Sequence, residues 1–430
     1  MRSILAALQS LSGHLTDDFP ALPGTRIFEV SFPLSDAFDP LAWLTAQSLW
    51  PQFYWQQRSG SEEIAAIGAV KTFSSLAQAN DFLATQERDD IRLCGVNAFD
   101  PQHGMLFLPR LTWRREAGRA VLRLNLWSAT SLQQDAEHAR QCLAALSAQH
   151  SSTELTLQQE GEINRPDKAG WCRLITQATQ AIRSGEFSKV VLARATDLIF
   201  ASAPNAGALM AASRRVNFSC YHFYMAFDAQ RTFLGSSPER LWRRRGLQLD
   251  TEALAGTVAG HDDDATAQRL GNWLMADDKN QRENGLVVDD ICQRLQGMTQ
   301  TLDVLPAEIV RLRKVQHLRR RIQAELDTAD DTRCLLQLQP TAAVAGLPRA
   351  AALDFIEREE PFTRQWYAGS AGILSRRQSE FCVTLRSAMV EGNTLRLYAG
   401  AGIVEGSDPE QEWQEIENKA AGLRSLLFSE

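Results

Sequence analysis

The sequence predicts a large α/β or α+β body, a single mass of β-sheets with long helices packed outside. Three observations carry the prediction. Segments of strand character come in groups, long helical patterns separate those groups, and 430 residues that are 44% apolar and 23% charged suffice for a sizeable core. No fixed short repeat and no low-complexity segment points to another architecture.

In chain order, the first eight residues carry one basic residue and a short apolar run, which reads as an amphipathic helix rather than a signal peptide. Residues 26–30, 53–57 and 64–70 have strand composition, the last two joined by a turn at Ser59-Gly60. Residues 105–113 and 120–127 bracket the turn Glu116-Ala117-Gly118. Helical spacing marks 76–83 and 132–146. A polar stretch over 148–167 is the best internal boundary. It divides an N-terminal β-rich part, 1–160, from a region 161–430 where the chemistry concentrates, the two packed as one body. Beyond it, 171–182 reads as a helix and 189–195 as a strand. Residues 231–235, 240–244 and 247–255 form a strand series, with Trp242-Arg243-Arg244-Arg245 as a cationic strand end in solvent. Residues 265–295 and 315–326 read as long helices. A meander over 367–374, 381–390 and 395–404 leads into a final helix.

Composition narrows the function. The chain has 45 basic and 52 acidic residues, a net −7, and no basic tract, which excludes duplex nucleic acid as a partner. No stretch approaches the ~18 apolar residues of a membrane span. Seven scattered cysteines without a Cys-x-x-Cys read as reduced thiols of a cytoplasmic protein. Small anionic substrates remain open.

Several residues stand out against these elements. Ser407-Asp408-Pro409-Glu410 has capping-box spacing ahead of the last helix, on which Glu412, Glu415 and Lys419 share one face. Carboxylates so placed suit Mg²⁺, or else form a solvated acidic face with an internal ion pair. Glu283 and Asp290, seven apart on an earlier helix, are open to the same two readings. Three glycine-rich spots, around Gly256-Thr257, Tyr367-Ala368-Gly369 and Gly400-Ala401-Gly402, lie in or beside strands. They allow either close approach of backbone N–H groups to an anion or tight strand packing. Glu239 follows a Pro turn, where desolvation would make a carboxyl a general acid. Lys189 opens an apolar strand, and Arg386 is a cation on another, fit for a carboxylate fork or an ion pair. His317, on the expected basic helix, has no second histidine at ligand spacing, so zinc is excluded. Cys220 and His222 read as core packing.

Taken in order, Lys189-Val190-Val191-Leu192-Ala193-Arg194, Gly235-Ser236-Ser237-Pro238-Glu239-Arg240, Glu252-Ala253-Leu254-Ala255-Gly256-Thr257, Asp278-Lys279 through Glu283-Asn284, Gln339-Pro340-Thr341, Tyr367-Ala368-Gly369, Ala399-Gly400-Ala401-Gly402 and Ser407-Asp408-Pro409-Glu410 form one set. The set, over about 165–428, resembles the chorismate-utilising enzymes, whose fold is that of the anthranilate and aminodeoxychorismate synthases. The likeness is greatest to those members that turn chorismate into isochorismate for menaquinone. The resemblance implies Lys189 as the base that activates water for attack at C2 and Glu239 as the acid on the leaving C4 hydroxyl. It implies Glu283 and Glu415 as Mg²⁺ ligands, and Gly256, Thr257, Tyr367, Arg386, Gly402 and Lys419 as substrate contacts. Relatives with a covalent route carry lysine where this chain has Ala255, and amine-adding relatives usually carry His where it has Gln339. The Leu-Leu-Glu-Ser element that binds tryptophan in anthranilate synthases is absent. Water is therefore the expected nucleophile, with no glutamine amidotransferase partner. Salicylate formation, which uses the same acid, base and metal, is the alternative reaction. A non-catalytic α/β binding protein is the alternative class.

Overall fold

The computed structural model describes residues 2–428, apart from 17, 36, 117, 153 and 156. Ala117, in the turn expected between residues 113 and 120, lies outside them. Among the described residues, twenty strands form one continuous antiparallel sheet bent into two arms. One arm runs from Gln159–Arg165 through Lys189–Phe200, Thr394–Ile403, Ser387–Glu391, Arg231–Ser237, Tyr221–Ala226 and Gln52–Gln56 to Glu63–Phe73. The other runs from Leu93–Asn97 through Ser370–Leu374, Gln378–Val383, Arg240–Arg245 and Gln248–Ala259 to Val315–Leu326. The strand Gly104–Glu116 pairs with both Glu63–Phe73 and Leu93–Asn97, so it is the hinge line between the arms. Two residues of the N-terminal part thus lengthen each arm's continuity with the later strands: Phe53 pairs with Met225, and Cys94 with Ile373.

The largest apolar cluster fills the space between the arms, with Trp55, Ala193, Phe223 and Phe233 from one and Trp242, Ala253, Ile322 and Phe381 from the other. Period-2 alternation decides the faces. In Lys189–Phe200, Ala193 and Ala195 face this interior while Val190 and Leu192 turn outward. There they meet Trp171 and Ile175 of the helix Lys168–Arg183, and Ile416 and Ala420 of the helix Pro409–Leu427. A third cluster packs the helices Arg2–His14, Leu132–Ala145 and Ala206–Val216 on the outer face of the first arm.

Four expectations change. Residues 315–326 are a strand, not a helix: Leu318, Ile322, Ala324 and Leu326 are buried against Gln248–Ala259, and Arg319, Arg321 and Gln323 point outward. The expected helix over 265–295 is two helices, Asp264–Ala276 and Asp278–Leu295, because Asp277 ends the first and caps the second by accepting from Asn280 N. Within 148–167, Gln159–Arg165 pairs with Lys189–Phe200 as a strand. Arg244 is not in solvent but buried, its guanidinium held by Asp331 at 2.7 Å.

Candidate active site

Strand ends and two helices converge on a cleft of about 630 Å³ between the arms. Glu239, Gly256, Thr257, Glu283, Tyr367, Arg386, Gly402 and Lys419 line it. Lys189 and Glu415 lie just behind that lining, touching Glu283 and Lys419 respectively.

Glu239 occupies the break between Arg231–Ser237 and Arg240–Arg245, where Pro238 stops the ladder. It is fully buried, and burial pushes its carboxyl up to about 8, with the Glu252 carboxylate adding and Lys189, Arg386 and Arg58 opposing. Glu252, equally buried, is held below the usual carboxylate range despite its desolvation, because Arg58 grips both its oxygens at 2.6 and 2.8 Å. Arg58 also donates to Pro238 O at 2.8 Å. The sequence reading missed Arg58. No motif marks it, and only the pairing of Gln52–Gln56 beside Tyr221–Ala226 carries the N-terminal part to the cleft.

Lys189 is wholly buried. Its Nζ lies 3.1 Å from Glu283 Oε1 without the alignment of a hydrogen bond, and has no hydrogen-bond partner among the described residues. Two residues beyond it, Val191 pairs with Gly402 of the neighbouring strand. A Cβ there would stand 2.5 Å from Glu283 Oε1 and 3.0 Å from Lys189 Cε, so only glycine lets the helix carboxylate and the lysine meet over this strand. Gly400 is likewise required by the Tyr367 hydroxyl, 2.7 Å from where its Cβ would be. Tyr367 stacks on Tyr398 with ring centres 4.9 Å apart. Gly256, at φ +92°, makes the bulge that breaks register between Leu254 and Thr257.

Arg386 is not within a strand, as its apolar neighbours suggested. It sits at φ +50° in the gap between Gln378–Val383 and Ser387–Glu391. The structural ion pair is not there: no carboxylate of the described residues lies within ion-pair distance, and Nη2 contacts His317 Nε2 at 2.7 Å. A guanidinium only donates, so Nε2 accepts and the imidazole proton resides on Nδ1, facing Gly256 O at 3.3 Å and Thr257 Oγ1 at 3.0 Å. Burial, then Arg386 and Lys419, hold His317 well below its usual range, which keeps it neutral. His317 thus belongs to the cleft, a placement hidden by reading its strand as a helix.

The last helix is capped by Asp408, which accepts from Glu410 and Gln411 N–H, rather than by Ser407, whose hydroxyl serves Val404 N. Pro409 lacks an N–H, so the cap shifts to the residue whose side chain reaches the next two. Lys419 Nζ bridges Glu415 at 2.5 Å and Gly400 O at 2.9 Å. Glu412 is buried, and burial, then the charges of Glu415 and Glu283, push its carboxyl up to about 7 against the pull of Lys279. Negative charge therefore accumulates around Glu412, within electrostatic reach of both Glu283 and Glu415. Among the described residues no three His, Cys, Asp or Glu side chains close on one point. Two hard carboxylates with room for water and substrate oxygens fit Mg²⁺. Asp290 is not part of this: it bonds Arg294 at 2.6 Å and Ala342 N at 3.2 Å. Nor are Cys220 and His222, since His222 Nδ1 contacts Ser236 Oγ at 2.8 Å in a buried polar knot.

A buried carboxyl held above its usual range, a buried lysine and one arginine without an acidic partner gather at one cleft, which marks it as a candidate active site for a small anion. The family described as "Chorismate binding enzyme" matches residues 94–428. Isochorismate synthase MenF of Escherichia coli is 63% identical over the full length of both chains. That of Pasteurella multocida is 43% identical over 91% of this chain and 90% of its own. The solved structure of the menaquinone-specific isochorismate synthase MenF from E. coli superposes with a TM-score of 0.96 over 99% of this chain and 100% of that one. Anthranilate synthase component I from Streptococcus pneumoniae, 17% identical, shares the fold at a TM-score of 0.62 over 95% and 93% of the two chains. This chain belongs to the chorismate-binding enzymes.

Proposed function

We propose that this chain is a cytoplasmic, Mg²⁺-dependent isochorismate synthase of menaquinone biosynthesis. The observation that carries the mechanism is Glu239, a fully buried carboxyl still protonated near neutrality beside Lys189 and Arg386. Lys189 takes a proton from water as the water oxygen bonds to C2 of chorismate. The C1=C2 and C5=C6 double bonds shift to C1=C6 and C4=C5, and the C4 hydroxyl leaves as water with the proton of Glu239. One water enters and one departs, so the reaction is reversible and needs no redox partner. Arg386, fixed by His317, and Lys419, fixed by Gly400 O, meet the substrate carboxylates. Mg²⁺ held by Glu283 and Glu415 would offset the charge of the dianion.

Ala255 lines the cleft as a methyl group, leaving no nucleophile for a covalent intermediate there. Gln339 is buried, and its amide nitrogen is engaged by Ala98 O at 2.6 Å. Both favour water as nucleophile and action without an amidotransferase subunit. No helix of the described residues is long and apolar enough to cross a membrane. The test is incubation with chorismate and Mg²⁺ followed by chromatography of the products. Isochorismate is expected, and salicylate or anthranilate as main product would overturn the reading. Lys189→Ala is expected to abolish turnover while chorismate still binds by calorimetry.

A further inference from the structure

Behind Arg386 and Lys419 lies a narrow second hollow, which these two side chains share with the cleft. Its wall carries two more cations, Arg313 and Lys314, from the turn between the strands Glu308–Arg311 and Val315–Leu326, and no carboxylate. Arg313 donates to the neutral Ser425 Oγ at 3.2 Å. Neither it nor Lys314 has a carboxylate within ion-pair distance among the described residues, although the chain has 52 acidic against 45 basic residues. On its outer side the cavity shares Asn217, Phe218 and Cys220 with an open depression of about 990 Å³. Phe218 stands 72% exposed at that junction. Three adjoining hollows therefore share lining residues from the surface depression to the cleft, and the middle one is lined by four cations and no acid.

We propose that this middle cavity is the port by which the dianionic substrate enters. Arg313 and Lys314 draw the dicarboxylate in and pass it to Arg386 and Lys419. Walls of low polarisability focus the field of unpaired cations, which raises the local concentration and capture rate of an anion. The inference rests on the reading of the cleft as a chorismate site.

Steady-state kinetics on chorismate at saturating Mg²⁺, across ionic strength, test it with R313Q/K314Q and with the exposed Lys314→Gln alone. The double variant is expected to keep kcat within about twofold and to lose roughly tenfold in kcat/KM at low salt. The gap should close toward 0.5 M, where screening acts within ~5 Å, so the slope of log kcat/KM against log ionic strength flattens. K314Q should flatten it by a smaller amount, which covers the case of a double variant that folds poorly. R376Q/R377Q removes the same charge at a distant exposed site and should leave the slope as it was. Wild-type slopes in both port variants, or equal flattening in R376Q/R377Q, would overturn the port alone. Failure of the unmodified chain to turn over chorismate would overturn the reading of the cleft, and this inference with it.

Discussion

Glu239, from the break between two strands, and Glu252, from a strand, are each 2% exposed in the layer between the arms. Glu283 and Glu415 come from helix faces, and 15% and 26% of their side chains remain exposed. At the strand end, water is gone and a carboxyl's state is decided by which neighbour it has. Arg58 makes Glu252 an anion, and that anion, with desolvation, makes its neighbour Glu239 an acid. At the helix end the carboxylates keep solvent contact and draw Lys189 and Lys419 to them, the environment a hydrated cation needs. On the proposed reading, one cleft holds proton chemistry in its dry wall and charge neutralisation at its wetter rim.

The contrast is broken most severely at Glu239. Glu239→Gln is expected to lower kcat by about 10²–10⁴-fold with chorismate binding retained. A rate near wild type would show that another group protonates the leaving hydroxyl. Because Glu239 donates only when protonated and its carboxyl is held at about 8, wild-type kcat/KM should fall as pH rises through that value. The Gln variant's residual rate should lack this limb.

Next is Arg58→Met. It leaves Glu252 buried with only Arg319, 3.9 Å away, as a cation within ion-pair distance among the described residues. A stability loss of about 3–5 kcal/mol is expected in denaturant melts. With Glu252 driven toward its neutral form, the largest charge raising Glu239 is gone, so the alkaline limb should move to lower pH. An unmoved limb would detach the two carboxylates from one another.

The smallest effect is expected at the rim. Glu283→Gln should raise the Mg²⁺ concentration for half-maximal activity by about tenfold or more, with the melting temperature little changed. Unaltered Mg²⁺ dependence would remove Glu283 from the metal.

In the first arm Gln52–Gln56, Glu63–Phe73 and Lys189–Phe200 were legible from their β-branched and aromatic residues, whereas the polar Gln159–Arg165 was not. Val315–Leu326 was not, because successive arginines mask a two-residue period that only the pairing with Gln248–Ala259 makes plain. That one misreading removed His317 from the site. Glu239, Glu283 and Lys419 could be found because each lies in a local pattern or in the ordered motif set. Arg58 could not, since its role exists only through a partner 194 positions away. Arg244 shows the converse: three arginines in a row look solvated until the buried Asp331 at the start of the helix Asp331–Leu338 is seen to hold the middle one. Arg386 looked like a strand cation because the break around it is set by backbone geometry, not by a proline or glycine.

The strand Lys189–Phe200 receives one neighbour, Gln159–Arg165, from just upstream, but the other, Thr394–Ile403, about two hundred residues later. Glu415 and Lys419 follow later still. During synthesis, Lys189 therefore leaves the ribosome long before its facing strand and the last helix exist. Until then its apolar strand presents an unpaired edge, and contacts of such sequence separation form slowly. The catalytic centre is among the last parts of the molecule to come into being, and turnover reports that the chain has been made through its final helix.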